Sequence, residues 1–498
     1  MLLTDLLHGV TPDPVPALHV AGLSCHSKQV RAGDVFVALA GPTTDGHAFI
    51  REAVARGAAA VIAQRWPEGL TPDGPGVSAW QHCPCVMVPD TRAALVTMAT
   101  RFYGHPSRKL RLVGVTGTNG KTTTTYLVRA ILEQAGLHAG LLGTIAYQIG
   151  GRVVPSTNTT PGVLELQRYF AQMVGQGVQW CAMEVSSHAL AQGRIAGLEF
   201  EAAVFTNLGS DHLDYHKTRE EYAAAKRKLF DYVRADGHAI INLDDPFGRD
   251  LAATIRHPSI IGYGLDPAAK VTLRHIMCTW EETSLVIDSP WGTVPVTTPL
   301  VGRHNIPNIS AAAGSLLALG LKPSAIREGL AHLEQVPGRM EQVANDIGVH
   351  LLIDYAHTAD ALRLVLLSLR ELTRGRVIVI FGCGGNRDQT KRPVMGKTAS
   401  LLADHVILTS DNPRGEEPLD IIHQIKRGFP EGFTHFDVIP DREQAIVAAL
   451  ASARRDDTIL IAGKGHEAYQ LFGHVSVPFS DRDVVERWLT ARQTVALS

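Results

Sequence analysis

The sequence lacks the features that mark membrane-spanning and nucleic-acid-binding proteins. None of its 498 residues belongs to an apolar run near the ~20 residues that a membrane-spanning helix needs. Its net charge is only −2 at pH 7, so no basic excess favours nucleic acid or an acidic membrane surface. We therefore expect small-molecule partners, no nucleic acid and no membrane insertion.

Cysteine is also scarce, and a secretion signal is missing. Six cysteines lie at scattered positions, which favours unpaired thiols in a reducing compartment over a disulfide framework. The first residues, MLLTDLLHGVTPDPVP, include an acid and no basic region, so they match a signal peptide poorly. Both observations predict a cytoplasmic protein.

Three α/β regions follow one another along the chain. Apolar runs such as DVFVALAG, RVIVIFG and HVILTS alternate with helical stretches, which predicts parallel sheets covered by helices on both faces. The segments at 104–110 and 335–340 are typical of linkers. We predict an α/β protein of three domains: 1–108, 109–336 with the parallel sheet of a P-loop ATPase, and 337–498 with a Rossmann-like sheet.

Polar clusters follow the apolar runs of the second and third regions. They are TGTNGKTT, MEVSSH, TNLGSDH, DYAHTAD, GCGGNRD, SDNPRGEEP and GKGHE. Ligands of parallel α/β sheets bind beyond the carboxyl ends of the strands, where these clusters are expected to lie. Both regions are therefore predicted to bind ligands.

The segment VTGTNGKTTTT, at 115–125, is typical of a phosphate-binding loop between a strand and a helix. Its small residues let backbone N–H groups surround phosphate oxygens, while a lysine adds charge and a threonine hydroxyl can bind Mg²⁺. Val115 stands where the usual pattern has glycine. The predicted ATP-binding residues here are Gly117, Thr118, Asn119, Gly120, Lys121, Thr122 and Thr123.

A metal site is predicted at the same sheet edge. Mg²⁺ prefers oxygen ligands, and Glu184 ends the run QWCAMEV. His212 follows the next run, although it could equally be an ordinary hydrogen-bonded loop histidine. Lys121, Glu184 and His212 are thus candidate catalytic residues, with Thr122, Glu184 and His212 as candidate metal ligands.

The segment TREEYAAAKRKLFDYV, at 218–233, begins with a capping box formed by Thr218 and Glu221, which predicts a helix. At helical spacing Lys226 falls on the apolar stripe of Tyr222, Leu229, Phe230 and Val233. It could be a lysine whose stem covers apolar surface, or a buried amine whose pKa desolvation lowers, leaving it nucleophilic.

Taken together, GTNGKTT, MEVSSHAL, TNLGSDHLDYH, AKRKLF, GRHNIPN, PGRME, DYAHTAD and GKGHE resemble the Mur ligase family across nearly the whole chain. The resemblance implies a monomeric cytoplasmic ligase of peptidoglycan synthesis that uses ATP and Mg²⁺. Its first domain would hold the uridine nucleotide, its second ATP, and its third the incoming amino acid. ATP would phosphorylate the carboxylate of UDP-MurNAc-L-Ala-D-Glu, and the amino acid's amine would attack the acyl phosphate.

The resemblance also assigns roles to individual residues. Lys226 matches a lysine that is carbamylated by CO₂ and then serves as a catalytic residue and metal ligand. Further ATP contacts are implied at Asn305, Asn308, Arg339 and Asp354. Contacts to the UDP-muramoyl dipeptide are implied at Cys25, Ser27, Pro42, Thr43, Thr44, Asn158, Thr159, Thr160, Ser186, Gln192 and Arg194.

Two departures from the family pattern stand out. The first domain usually reads Asp-Ser-Arg where this chain has His26-Ser27-Lys28, and lysine lacks the bidentate fork of arginine. The uridine and diphosphate contacts are therefore the least certain part of the resemblance. Ala359 replaces a proline, which we expect to matter little.

The segment DNPR, at 411–414, predicts the amino-acid substrate. Asn-Pro could be turn chemistry alone, but an arginine can grip a distal carboxylate that meso-diaminopimelate has and lysine lacks. DNPR also marks the diaminopimelate-adding members of the family. The predicted diaminopimelate-binding residues are Arg387, Asp411, Asn412, Pro413, Arg414, Gly463 and Glu467.

Three alternatives remain open at this stage. One is a ligase of the same family that adds L-lysine, and another is a folylpolyglutamate synthase-type ligase. A P-loop kinase or regulatory NTPase would explain GTNGKTT but would leave Lys226 and the loops of the third region unused.

Overall fold

The computed structural model describes residues 1–41, 44–66, 83–209, 211–257 and 259–496. Three α/β regions succeed one another, each built around its own sheet, and a short hairpin follows the last. The predicted α/β class with parallel sheets is confirmed. The boundaries at residues 108 and 336 stay predictions.

Helices cover the sheets on both faces. They span Leu3–Leu7, Ile50–Ala55, Thr91–Phe102, Lys121–Gln134, Val163–Gly175, Ser187–Ala191, Leu213–His216, Arg219–Arg227, Pro246–Thr254, Ile306–Ala318, Pro323–Ala331, Ala359–Leu372, Lys391–Leu402, Pro418–Lys426, Arg442–Ser452 and Asp481–Ala496. None of the helices in the described residues is both long enough and apolar enough to cross a membrane.

The first sheet has four parallel strands, in the order Gly22–Ser24, Asp34–Val37, Ala60–Ala63 and Cys85–Met87. Apolar side chains cover both of its faces, from Leu3 and Leu6 on one side to Phe36 and Ile50 on the other. This region is therefore an α/β layer with its own core.

The central sheet has eleven strands, and its middle seven are parallel. In spatial order they are Gly292–Thr298, Thr283–Ser289, Val271–Cys278, Ile260–Gly264, Val233–Asn242, Phe200–Phe205, Arg111–Thr116, Trp180–Glu184, Ala139–Leu142, Ala146–Ile149 and Arg152–Pro155. Antiparallel strands extend the sheet at each edge. The sequence analysis did not predict these edge strands, whose burial alternates along Gly292–Thr298 because only one face is covered.

The third sheet has six strands, in the order Glu341–Gln342, His350–Asp354, Thr458–Ala462, Val377–Phe381, His405–Leu408 and Phe436–Val438. All neighbouring strands are parallel except the first pair. A separate hairpin, Tyr469–Phe472 with Val475–Pro478, follows. The carboxyl ends of four of the parallel strands lead into the polar segments of the third region.

The predicted helix over 218–233 is too long. Thr218 does cap it, since its side chain accepts from the Glu221 N–H, but the helix ends at Arg227. A 3₁₀ segment, Lys228–Tyr232, follows, and Val233 begins a central strand that pairs with Phe200–Phe205. Pairing in the sheet overrides the helical pattern there, because Val233 is the first residue with a strand partner.

The central and third regions touch at several places, among them His304 Nδ1 with Ser368 Oγ at 3.0 Å. Trp280, at the tip of an edge hairpin, stacks on His350 with ring centroids 3.8 Å apart, and its indole N–H donates to the Leu372 carbonyl over 3.0 Å. Next to the phosphate loop, Arg339 Nη2 donates to Thr122 Oγ1 over 3.1 Å. These contacts enclose a space between the carboxyl ends of the two sheets.

Candidate active site

A cavity of about 580 Å³ lies between the central and third regions. We call it the central cavity. Its walls come from the phosphate loop, from the ends of central strands and from the segment after strand His350–Asp354. Among its lining residues are Thr118, Asn119, Gly120, Lys121, Thr122, Thr123, Thr144, Thr159, Glu184, Ser186, Asn207, Asp211, His212, Lys226, Asn305, Asn308, Arg339, Asp354 and His357.

The phosphate loop joins strand Arg111–Thr116 to helix Lys121–Gln134 as the sequence predicts. Gly117 and Gly120 both have positive φ, 148° and 86°. A Cβ on Gly117 would lie 1.8 Å from Thr206 Oγ1, and one on Gly120 would lie 2.2 Å from Asn308 Oδ1. Only glycine therefore fits at either position, and the free N–H groups of the helix start point toward a phosphate site.

Two lysines, the half-buried Lys121 and the buried Lys226, share one acceptor in this loop. Lys121 Nζ donates to the Gly117 carbonyl over 2.9 Å and to the Thr118 carbonyl over 2.8 Å. Lys226 Nζ donates to the same Gly117 oxygen over 2.7 Å. Burial lowers the pKa of Lys121. Burial, and then the charge of Lys121, hold the pKa of Lys226 well below its ordinary value.

Lys226 is 1% exposed and does not extend its amine to solvent. Its Nζ lies 4.2 Å from the centre of the Tyr222 ring, and the Tyr222 hydroxyl contacts Thr118 Oγ1 at 3.1 Å. Of the two interpretations drawn from the sequence, the buried amine of lowered pKa fits this geometry. The lysine with a solvated ammonium does not.

Glu184 is 1% exposed and is held at the cavity wall by one residue. Its Oε1 accepts from the Thr144 N–H over 2.8 Å, and its Oε2 accepts from Thr144 Oγ1 over 3.0 Å. A Cβ on Gly143 would lie 2.4 Å from Glu184 Oε1, so this glycine makes room for the carboxylate. The carboxylate is thereby fixed where oxygen ligands for a cation were predicted.

His212 lies well beyond the end of strand Phe200–Phe205 and just before helix Leu213–His216, not at the strand end. Its φ is 55°, and its ring packs edge-on against His188, with centroids 4.7 Å apart. Desolvation lowers its pKa to about 4, so the ring is neutral and its nitrogen can accept a hydrogen bond or bind a metal.

The four candidate metal ligands, Thr122, Glu184, His212 and Lys226, all line the central cavity. Across the described residues, no three His, Cys, Asp or Glu side chains are grouped closely enough to hold a metal by themselves. The two oxygen donors of this set, Glu184 and Thr122, suit Mg²⁺, because that ion binds through few protein oxygens and takes the rest of its ligands from water and substrate.

Residues predicted to contact the rest of ATP are also at the cavity. Asn308 Nδ2 donates to Asn305 Oδ1 over 3.2 Å, so the two amides form a pair at the start of helix Ile306–Ala318. Arg339 lies over the Tyr355 ring at 4.5 Å. Asp354 accepts from the N–H groups of Met340 and Ala356, and burial raises its pKa.

The predicted dipeptide contacts in the central region divide into two groups. Thr159 and Ser186 line the central cavity, whereas Asn158, Thr160, Gln192 and Arg194 do not. The Thr160 hydroxyl donates to the Glu184 carbonyl over 2.8 Å, and Arg194 Nη1 donates to the Thr160 carbonyl over 2.9 Å. These two residues brace the wall of the cavity, and their contact with substrate stays a prediction.

Five contacts to the UDP-muramoyl dipeptide were predicted in the first region. Ser27 Oγ donates to Glu52 Oε2 over 2.7 Å, so its hydroxyl already has a partner. Burial, and secondarily Glu165, raises the pKa of the Cys25 thiol to about 12. Thr44 is exposed. Pro42 and Thr43 lie outside the described residues, and the roles of all five stay predictions.

The predicted diaminopimelate residues come together at a different place, beyond the carboxyl ends of the third sheet. We call residues 384–387, 411–414 and 463–467 the DNPR cluster. A Cβ on Gly384 would lie 2.8 Å from Arg414 Nη1 and 3.7 Å from Arg387 Cγ, so both arginines lie next to this glycine. Asn412 Nδ2 donates to Glu467 Oε2 over 2.9 Å. Gly463 has φ 111°, and Asp411 packs against it.

Arg414 is not merely part of a turn. Its φ is 51°, its Nη1 donates to the Gly385 carbonyl over 2.9 Å, and its N–H donates to Leu471 O over 2.9 Å. A fully buried arginine, Arg392, supports the same loops through two bonds to Glu416 and one to the Gly384 carbonyl. Tertiary contacts therefore decide the position of the Arg414 guanidinium.

Sequence reasoning missed several residues that hold the site together. Asn207 accepts from the Asn119 N–H and donates to its carbonyl, and Lys464 bridges Asn412 and Glu467. Both lie inside motifs that the sequence analysis had noted, TNLGSDH and GKGHE. Thr144 and Arg392 lie outside every such motif, and no signal in the sequence singles them out.

Comparisons with known proteins cover the chain from end to end. Three family models match: "Mur ligase family, catalytic domain" over residues 19–103, "Mur ligase middle domain" over 115–316, and "Mur ligase, glutamate ligase domain" over 338–465.

Relatives named "UDP-N-acetylmuramoyl-L-alanyl-D-glutamate--2,6-diaminopimelate ligase" span the same length. The one from Geobacter metallireducens is 43% identical, covering 97% of this chain and 98% of its own, and the one from Gloeobacter violaceus is 44% identical, covering 98% and 97%. A solved structure of a ligase with that name has a TM-score of 0.69 and 32% identity, covering 99% of each chain.

Proposed function

Because the chain belongs to the Mur ligase family, we propose that it adds meso-2,6-diaminopimelate to the D-glutamate of UDP-N-acetylmuramoyl-L-alanyl-D-glutamate. The reaction consumes ATP and makes a peptidoglycan precursor. The protein acts in the cytoplasm as a monomer. The uridine nucleotide is bound by residues 1–108, ATP by 109–336 and the amino acid by 337–498.

The observation that carries this proposal is the composition of the DNPR cluster. Arg387 and Arg414 lie next to Gly384, and the Glu467 carboxylate accepts a hydrogen bond from Asn412. The distal carbon of meso-diaminopimelate bears a carboxylate and an ammonium, whereas lysine offers only the ammonium. The two arginines therefore match the distal carboxylate that only diaminopimelate offers, and the full-length relatives are named as 2,6-diaminopimelate ligases.

The central cavity supplies the phosphoryl-transfer half of the reaction. N–H groups at the start of helix Lys121–Gln134 bind the phosphates of ATP, and Lys121 leaves the Gly117 and Thr118 carbonyls to pair with them. Asn305, Asn308, Arg339 and Asp354 contact the nucleoside side. The substrate carboxylate attacks the terminal phosphorus, ADP leaves, and an acyl phosphate forms.

The residues present fit the magnesium that this chemistry needs. Glu184 offers a fixed carboxylate, Thr122 a hydroxyl and His212 a neutral ring nitrogen, all on one cavity wall. Magnesium bound there would neutralise phosphate charge as the phosphoryl group transfers. Thr144 holds the Glu184 carboxylate in position for that role.

Lys226 completes this wall as a carbamate. A neutral amine can attack CO₂, forming a new N–C bond and releasing one proton to solvent, which converts the neutral side chain into an anion. The lowered pKa of Lys226 supports this chemistry, because a larger share of the amine is neutral. The carbamate adds an oxygen ligand that the other side chains do not supply.

In the second half-reaction the amine of diaminopimelate attacks the acyl phosphate carbon. A tetrahedral intermediate forms and collapses, the carbon–oxygen bond to phosphate breaks, and an amide remains. The DNPR cluster holds the far end of the amino acid, so the reacting amine is oriented toward the central cavity.

Phosphate release tests this proposal directly. The enzyme should release phosphate from ATP only when UDP-muramoyl-L-alanyl-D-glutamate and meso-diaminopimelate are both present. Release with ATP alone would favour a regulatory NTPase. Release with a folyl substrate and glutamate would favour a folylpolyglutamate synthase instead.

A further inference from the structure

Asn412 has its side-chain amide oriented by three partners. Its Oδ1 accepts from Lys464 Nζ over 3.2 Å and from the Leu471 N–H over 3.1 Å. Its Nδ2 donates to Glu467 Oε2 over 2.9 Å. Both oxygen lone pairs are thus occupied by donors, and one of the two amide hydrogens is occupied by an acceptor.

These partners leave a single amide orientation. A flipped Asn412 would place its NH₂ group against a lysine ammonium and a backbone N–H, both of which can only donate. It would also turn its oxygen toward the Glu467 carboxylate. The amide therefore keeps one N–H to offer to a ligand and has no oxygen lone pair left.

Lys464 is the side chain that enforces this orientation. It is fully buried, and its Nζ bridges Asn412 Oδ1 and Glu467 Oε2, the latter over 2.9 Å. Glu467 Oε2 thereby accepts hydrogen bonds from both Lys464 and Asn412. In the part of the chain that the structure describes, Glu467 Oε1 has no hydrogen-bond partner and remains for a ligand.

We propose that Lys464 is a positioning residue that sets the amino-acid specificity by holding Asn412 as a donor and Glu467 as a one-oxygen acceptor. This inference rests on the proposed function and deepens it. The distal carboxylate of diaminopimelate accepts hydrogen bonds from the Asn412 N–H and from the Arg414 guanidinium. The distal ammonium donates a hydrogen bond to Glu467 Oε1.

The arrangement also explains how lysine is disfavoured. The sequence alone allows the Asn412 amide to serve either a carboxylate or an ammonium. In the structure its oxygen is used up by Lys464 and Leu471, so a bound lysine would leave the remaining N–H without an acceptor. A buried donor without a partner is unfavourable, and rejection of such a ligand follows.

Two variants of similar size test Lys464. Lys464→Met removes the donor to Asn412, whereas Lys464→Gln keeps an N–H donor. The measurement is kcat and KM for meso-diaminopimelate and for L-lysine, with the fold checked by circular dichroism. In Lys464→Met we expect the kcat/KM ratio of diaminopimelate to lysine to fall about tenfold, mainly through KM for diaminopimelate.

Lys464→Gln should recover the larger part of that ratio, which a purely structural role would not produce. Equal losses for both amino acids in Lys464→Met would overturn the inference, as would a Gln variant no better than the Met variant. If Lys464→Met does not fold, Asn412→Asp provides the test. It replaces the N–H by a second oxygen, so the ratio should fall, and an unchanged ratio would overturn the inference.

The wild-type enzyme separates this inference from the function on which it rests. No phosphate release with the UDP-muramoyl dipeptide and diaminopimelate would overturn both. A wild-type enzyme that prefers diaminopimelate while Lys464→Met keeps the same preference would overturn only the role of Lys464.

Discussion

In the central cavity two lysines donate to backbone carbonyls, whereas in the DNPR cluster the buried Lys464 pairs with a carboxylate. Lys121 and Lys226 both reach the Gly117 oxygen, and no acidic side chain lies within salt-bridge distance of either among the described residues. Lys464 instead bonds Glu467 and Asn412. The first arrangement leaves the Lys121 charge available for phosphate and the Lys226 amine available for CO₂, whereas the second uses charge to fix side chains.

This difference reflects what each place must do. Phosphoryl transfer needs positive charge that is strongly attracted to an incoming anion, so a lysine such as Lys121, with no carboxylate partner in the described part of the chain, serves it. Discrimination between two similar amino acids needs donors and acceptors that do not reorient, so a closed hydrogen-bond network serves it. Substitutions should therefore lower the rate in the central cavity and alter affinity and preference in the DNPR cluster.

The largest effect is expected at Lys226. Lys226→Ala removes the amine that we propose takes up CO₂, so kcat should fall by about 10³-fold or more, as for other losses of charge stabilisation. A short carboxylate such as formate should restore part of the activity. Wild-type enzyme incubated with ¹³C-bicarbonate should show a carbamate signal by NMR that the variant lacks.

Lys228→Ala is the matched control, because Lys228 is exposed in the following turn. It should keep wild-type activity. Full activity of Lys226→Ala in CO₂-depleted buffer would contradict the assignment.

The second-largest effect is expected at Lys121. Lys121→Ala removes a charge that acts on the transferring phosphoryl group, so kcat at saturating ATP should fall by about 10²- to 10³-fold. The steady-state rate of phosphate release measures this, with the exposed Lys109→Ala as control. Unchanged turnover would show that Lys121 does not act in the chemical step.

Arg414 lies in the DNPR cluster, so its substitution should change KM. Arg414→Ala removes a charged hydrogen bond to the distal carboxylate, which should raise KM for meso-diaminopimelate by about 10- to 100-fold. The preference of the enzyme for diaminopimelate over lysine should narrow as well. The control Arg427→Ala, at an exposed position after helix Pro418–Lys426, should change neither KM nor this preference. A constant preference in Arg414→Ala would argue against a carboxylate-reading role.

The smallest effect is expected at Arg392, which touches the cluster only through its loops. Arg392→Met removes its bonds to Glu416 and the Gly384 carbonyl, so KM for diaminopimelate should rise by about 3- to 10-fold. Glu416→Gln breaks the same pair from the other side and should give a similar rise. A loss of kcat with KM unchanged in both variants would mean that the two sites are not independent.

Much of the fold and of the central cavity could be predicted because the responsible signals are local. Strand, glycines, lysine and helix follow one another from 111 to 134, so backbone geometry alone positions the phosphate loop. The place of Lys226 on an apolar stripe left two interpretations open, and the structure decided between them because the side chain is 1% exposed. The prediction failed at Val233, because its pairing partner lies about thirty positions earlier in the chain.

Ala359 shows why one departure from the family pattern can be small. It is the first residue of helix Ala359–Leu372, directly after the capping Thr358. Proline is favoured at this position because its missing N–H would be unpaired in any case, and alanine fits there equally well.

By itself the sequence determined the α/β class and the order of strand, glycine-rich loop and helix around 115–125, since each depends on spacing along one segment. Only the tertiary structure decided which hydrogen-bond partners the side chains of the site have. Thr144 holds Glu184 from 40 positions away, and Lys464 orients Asn412 across 52. Such pairs are set by the folding of separate strands against one another, so no local pattern encodes which hydrogen of an amide faces the substrate.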